Sequence, residues 1–176
     1  SAAKSVRANV IIKSANVFAG DAIYDCSNGD PIKINASPHG GKWSSTDIDD
    51  VNDTYYLTVP KGASGLRDYV YTVKDTQGCV GKDTLSARFK ETPLARVTSD
   101  SLHCYSGPVR FDLSALPKGG TWLQNAVQKD ASGSYLSLDS TYIGKSQYRY
   151  VATSKDNCTD TALFELTVAK QPEIRV

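Results

Sequence analysis

The stretch Pro38-His39-Gly40-Gly41-Lys42-Trp43 returns 79 residues later as Pro117-Lys118-Gly119-Gly120-Thr121-Trp122. At the same offset Tyr69 falls on Tyr148, Tyr71 on Tyr150, Cys79 on Cys158 and Pro93 on Pro172. Arg96-Val97 falls on Arg175-Val176, and Cys26 matches Cys104 at an offset of 78, a one-residue slip. Self-similarity at a fixed period marks a repeated supersecondary unit. The chain therefore reads as two copies of one module, 15–95 and 96–176. Ahead of them, Val10-Ile11-Ile12-Lys13 is similar to Ala87-Arg88-Phe89-Lys90. Residues 1–14 thus read either as the end strand of a preceding module or as an N-terminal strand of the first copy.

Each copy reads as strands. Ile32-Lys33-Ile34-Asn35-Ala36 and Val109-Arg110-Phe111-Asp112-Leu113 alternate apolar and polar residues at equivalent places, the period of a half-buried strand. Tyr69-Val70-Tyr71-Thr72-Val73 and Tyr148-Arg149-Tyr150-Val151-Ala152 are rich in aromatic and β-branched residues. Turn residues follow at once, Asp75-Thr76-Gln77-Gly78 and Lys155-Asp156-Asn157. They predict a hairpin into a last strand, Thr84 to Phe89 in one copy and Ala162 to Val168 in the other. No stretch sustains a helical period. Short strands punctuated by Gly, Asn, Asp and Pro predict an all-β chain of two tandem β-sandwich domains.

Four cysteines allow three pairings. Equivalent cysteines should be bonded equivalently, so the repeat predicts Cys26–Cys79 and Cys104–Cys158, one bridge within each copy. Each would contribute ~4 kcal/mol by loop-closure entropy, which matters for a module with so small a core. A zinc site lacks the Cys-x-x-Cys spacing it needs. Trp43 and Trp122 follow the Gly-Gly turns and read as core residues, together with Tyr71 and Tyr150, because repeats share cores more strictly than sites.

Net charge is +1 with acids and bases interspersed, which gives no electrostatic argument for nucleic acid as a partner. No apolar run approaches the length of a membrane-spanning helix. With no methionine, the chain reads as a fragment or a mature product.

The order Ala19-Gly20-Asp21, Cys26, Gly29 to Ile32, Pro38 to Ser44 and Tyr69 to Cys79 resembles the PKD-like, immunoglobulin-like repeats of large Bacteroidetes cell-surface proteins, of adhesin or gliding-motility type. The resemblance covers nearly the whole chain. The second copy departs from it by carrying Val97-Thr98-Ser99-Asp100 in place of Ala-Gly-Asp. It implies two tandem Ig-like (PKD-like) domains, each with one disulfide, exported to the cell surface or the periplasm. Type IX secretion and neighbouring Ig-like modules of the same parent chain as partners are implied as well. So are O-glycans at Asp-Ser/Thr-apolar triplets such as Asp83-Thr84-Leu85 and Asp160-Thr161-Ala162.

Signatures of catalysis are missing. The two histidines, His39 and His103, stand at non-equivalent places, expected in exposed loops, and no nucleophile motif accompanies them. One run rises above background: Asp47, Asp49, Asp50 and Asp53 concentrate the hard oxygen donors Ca²⁺ prefers, in what reads as a loop of the first copy only. A solvated acidic loop is the alternative. The expectation is a non-enzymatic structural or adhesive segment, a stalk or a surface for glycan or protein ligands, with no cofactor other than this Ca²⁺ candidate. The alternatives are a carbohydrate-binding module of a secreted polysaccharide-degrading enzyme, with Tyr55, Tyr56, Tyr135 and Tyr142 as its platform, and a periplasmic subunit of a secretion or motility machine.

Overall fold

A computed structural model describes residues 16–172; the readings made for residues 1–14 and for Arg175-Val176 lie outside the described residues. The chain condenses into two compact units. One comprises 16–25, 29–59 and 65–89, the other 26–28, 60–64 and 90–172. The second unit thus takes in two short internal segments of the first sequence copy together with its last residues, 90–95.

The first copy contributes β1 (Ile23–Cys26), β2 (Ile32–Ile34), β3 (Lys42–Trp43), β4 (Ile48–Val51), β5 (Thr54–Leu57), β6 (Gly65–Lys74) and β7 (Val80–Lys90). They form two sheets, β1-β7-β6-β3 and β2-β5-β4. A bridge from Phe18 to Ser37 precedes them. The second copy contributes β8 (Arg96–Val97), β9 (Leu102–Tyr105), β10 (Val109–Leu113), β11 (Ala115–Leu116), β12 (Thr121–Trp122), β13 (Gln128–Asp130), β14 (Gly133–Leu138), β15 (Gly144–Thr153) and β16 (Thr159–Lys170). Its sheets are β12-β15-β16-β9 and β10-β14-β13, with β11 paired to β8. Both copies carry the immunoglobulin strand order. The second, fifth and fourth strands of the sandwich make one sheet, and the third, sixth and seventh make the other. A short first-strand segment crosses over, so that β9 runs parallel to β16 from Leu102↔Thr167 to Tyr105↔Lys170.

Period-two alternation explains the layers. In β6 the buried side chains are those of Tyr69, Tyr71 and Val73, and in β7 those of Leu85, Ala87 and Phe89. Their counterparts Tyr148, Tyr150 and Ala152 of β15, and Phe164, Leu166 and Val168 of β16, are buried in the second copy. Successive side chains of a strand face opposite sides, so each long hairpin lays one row on the core. Ile34, Tyr55 and Leu57 close the first core and Leu113, Leu136 and Leu138 the second.

The long hairpins turn at Asp75–Cys79 and Ser154–Cys158. Asp75 Oδ1 accepts from the Gln77 and Cys79 amides, and Ser154 Oγ accepts from the Cys158 amide. The last strands start earlier than the sequence predicts, at Val80 and Thr159 rather than Thr84 and Ala162. Both hairpin ladders continue out to the turns, through Lys74↔Val80 and Thr153↔Thr159.

Candidate functional site

The repeated Pro-x-Gly-Gly-x-Trp turn is built around a buried tyrosine. Tyr71 Oη donates to the Pro38 carbonyl at 2.6 Å, accepts from the Gly41 amide at 2.9 Å and lies 3.0 Å from Tyr55 Oη. Tyr150 Oη repeats this with the Pro117 carbonyl at 2.5 Å and the Gly120 amide at 2.7 Å. Glycine is required twice over. Gly40 and Gly119 sit at φ of 84° and 94°, which costs glycine nothing. A Cβ on Gly41 or Gly120 would run into the ring of Tyr71 or Tyr150. Trp43 packs on Tyr71 at 4.7 Å between ring centroids, and Trp122 on Tyr150 at 5.2 Å. Both tryptophans are half-buried at the edge of their cores. Burial first, then the Tyr55 hydroxyl, pushes the Tyr71 phenol up to about 12. This repeated constellation is structural: each tyrosine hydroxyl is committed to a carbonyl and an amide of its own turn.

The cysteines depart from expectation. Cys26 is bonded to Cys158, across 132 residues and with 5.7 Å between Cα atoms, while Cys79 and Cys104 are thiols. The expected pairs Cys26–Cys79 and Cys104–Cys158 are ruled out by the length of the last strand. Cys104 lies beside Ala169 on the β9–β16 ladder, whereas Cys158 stands eleven residues earlier, just before β16. At ~3.3 Å per residue the two are ~36 Å apart, far beyond the ~7 Å a disulfide spans. The same holds in the first copy, where the Ser27 amide donates to the Lys90 carbonyl and Cys79 precedes β7. The strand cysteine and the hairpin cysteine of one copy therefore sit at opposite ends of their sandwich.

Around the observed bond the second unit gathers the two segments taken from the first copy. Asp160, two residues past Cys158, accepts from Lys61 Nζ at 2.5 Å and from the Ala95 amide at 2.8 Å. Burial opposes ionisation of Asp160, but the Lys61 ammonium and the Ala95 and Thr161 amides outweigh it and hold its carboxyl below the usual range. The Gly62 amide donates to the Ser27 carbonyl, and Ser27 Oγ donates to the Lys90 carbonyl. Cys158, Ser27 and Thr92 are buried.

The acidic run does not gather into a metal site. Asp47 is taken up by Tyr69 Oη at 3.1 Å and Arg67 at 3.5 Å. Asp49 and Asp50 are successive residues of β4, opposite Tyr56 and Tyr55, so their carboxylates leave opposite faces of the strand. Asp53 follows Asn52 in a two-residue turn with φ of 52° and 60°, the type I′ geometry of a tight hairpin. The stretch is a hairpin rather than the expected loop. Among the described residues no group of three or more His, Cys, Asp or Glu is placed to hold a metal.

The tyrosines proposed as a platform do not form a row. Tyr55 is buried, Tyr142 packs against the second core, and Tyr135 is covered by the Arg110 guanidinium at 3.8 Å from its ring centroid. Arg110 in turn bonds Asp112, Asp130 and Ser132, so its donors are committed to a surface cluster. His39 stacks near Tyr55, and His103 lies on β9 against Phe111 rather than in a loop.

No family model and no curated protein matches the chain. Solved structures similar to it carry immunoglobulin or fibronectin-type domains. The insect immune protein hemolin is 14% identical with a TM-score of 0.43, over 88% of this chain and 46% of that one. The chain thus spans about half of hemolin's length. The I9–I11 tandem of titin is 16% identical, TM-score 0.31, over 88% and 66% of the two chains. The fibronectin(III)-like modules of Clostridium thermocellum CbhA are 14% identical, TM-score 0.32, over 92% and 98%. The Ig-like assignment rests on the strand order within each copy.

Proposed function

We propose that this chain is a non-enzymatic structural and adhesive segment of a large exported cell-surface protein, its Ig-like modules acting as a stalk that presents binding surfaces. The observation that carries this reading is the Cys26–Cys158 bond, which ties the two sequence copies covalently. Disulfides persist in oxidising surroundings, which supports a location outside the cytosol, extracellular or periplasmic. Polar groups that would do chemistry elsewhere are spent on structure here. Tyr71 and Tyr150 hold turns, Asp47 holds Tyr69, and Asp160 holds Lys61.

Two measurements on the purified chain test the reading. Protease digestion with the disulfide intact and after reduction should show protection that reduction removes. A screen against glycans and matrix proteins should then find saturable binding if the surfaces are adhesive, and silence if the segment is a spacer. Turnover of a polysaccharide, or protease resistance that reduction leaves unchanged, would refute the structural role.

A further inference from the structure

The two copies place their cysteines identically. Cys26 lies beside Lys90 at the end of β7, and Cys104 beside Ala169 at the end of β16. Cys79 and Cys158 close equivalent hairpins, their carbonyls accepting from the amides of Asp75 and Ser154. The bond that forms takes the strand cysteine of one copy and the hairpin cysteine of the next. The two thiols left are therefore complementary: Cys79 is a hairpin cysteine and Cys104 a strand cysteine.

A second observation supports the pattern. A groove beside Cys104 is lined by Tyr105, Ser140, Ile143, Lys170, Gln171 and Pro172. By the repeat these positions correspond to Ser27, Lys61, Ser64, Glu91, Thr92 and Pro93 of the first copy. That is the surface on which Lys61 meets Asp160 beside the Cys26–Cys158 bond. Ile143 presents an exposed apolar side chain there, and Cys104 is itself exposed.

We propose that Cys104 and its groove receive the hairpin cysteine of another copy of this module, and that Cys79 is received in the same way. Successive modules would then be joined by a ladder of identical disulfides of which Cys26–Cys158 is one rung. The inference rests on the stacked-module reading and names the partner: the module itself. The chemistry needs a low-molecular-weight disulfide as oxidant. The Cys79 thiolate attacks glutathione disulfide and releases one glutathione thiolate. The Cys104 thiolate then attacks the Cys79 sulfur of the mixed disulfide, and the second glutathione leaves with the electron pair and takes up a proton. Two thiols are oxidised and one glutathione disulfide is reduced.

The test mixes equal amounts of the 176-residue Cys79→Ser chain, which keeps Cys104, and the Cys104→Ser chain, which keeps Cys79, in glutathione buffer. Retention of Cys26–Cys158 in each confirms folding. The heterodimer should exceed either homodimer by about tenfold or more, because docking raises the effective concentration of one thiol at the other. Mass spectrometry should find the Cys79–Cys104 peptide. Ile143→Glu in the Cys104-bearing chain should remove the excess. A statistical mixture of dimers, or no heterodimer, would overturn the ladder. Either result leaves the protection conferred by Cys26–Cys158 untouched, so the broader reading stands or falls separately.

Discussion

Replacing Tyr71 or Tyr150 with phenylalanine removes a single hydroxyl while keeping the ring that fills the core. In each copy that hydroxyl is the partner of one carbonyl and one amide of the Gly-Gly turn. A buried polar group left without its partner costs about 1–3 kcal/mol, so two of them cost about 2–6 kcal/mol per copy. The first copy has more to lose, because Tyr55 Oη also bonds Tyr71 and keeps only the Gly40 amide once it is gone. Tyr71→Phe should therefore exceed Tyr150→Phe by about 1 kcal/mol, one net hydrogen bond. Urea unfolding followed by tryptophan fluorescence reads this directly, since each tryptophan packs on its own copy's tyrosine. With m of about 1–1.5 kcal/mol/M for a unit of this size, the midpoint should fall by about 1.3 M or more. Losses below about 0.5 kcal/mol in both variants, within the range of an ordinary surface change, would refute the tyrosine-held turn. A larger loss from Tyr150→Phe would refute the ranking.

Because the folded Tyr71 phenol is raised to about 12 from ~10 in the unfolded chain, its contribution is complete below about pH 10 and is lost as pH rises through 12. Unfolding midpoints between pH 9 and 11.5 should fall more steeply for the native chain than for Tyr71→Phe, and parallel slopes would count against the assignment. Asp160→Ala should lower stability by about 1–3 kcal/mol by stranding the Ala95 amide and Lys61. Its carboxyl is held below the usual range, so the gap between native chain and variant should be full above about pH 4 and shrink as pH falls further. A gap that widens in acid would show the contact to be something other than an ion pair. Melting in millimolar Ca²⁺ and in excess chelator should coincide, because Asp47, Asp49, Asp50 and Asp53 do not converge; a rise of several degrees with Ca²⁺ would show that they do.

Much of the fold was written plainly. The apolar rows Tyr69-Tyr71-Val73 and Tyr148-Tyr150-Ala152 gave the strands their faces, and the repeat gave two sandwiches. The cysteine pairing was not legible, because equivalence of positions says which cysteines behave alike and not which of them meet. What decides is strand length, and that signal is weak here. Gly81-Lys82-Asp83 extends β7 toward Cys79 without any apolar pattern, held by the ladder rather than by propensity. The acidic run hid its hairpin for a related reason. Val51 is exposed, so β4 shows little alternation, and the informative pair was Asn52-Asp53 at the turn.

The disulfide also sets how the chain would answer tension. Pulled by its two ends, the molecule passes load from the residues ahead of Cys26 straight to those after Cys158, and the 132-residue span between them carries none of it. The β6–β7 hairpin and β15 lie inside that shielded span, whereas β1 and β16 are left in line with the force. Cutting one sulfur–sulfur bond would return ~450 Å of extensible contour, at about 3.3–3.6 Å per residue. The redox state of its surroundings thus sets whether the segment behaves as a short inextensible link or as a long yielding one.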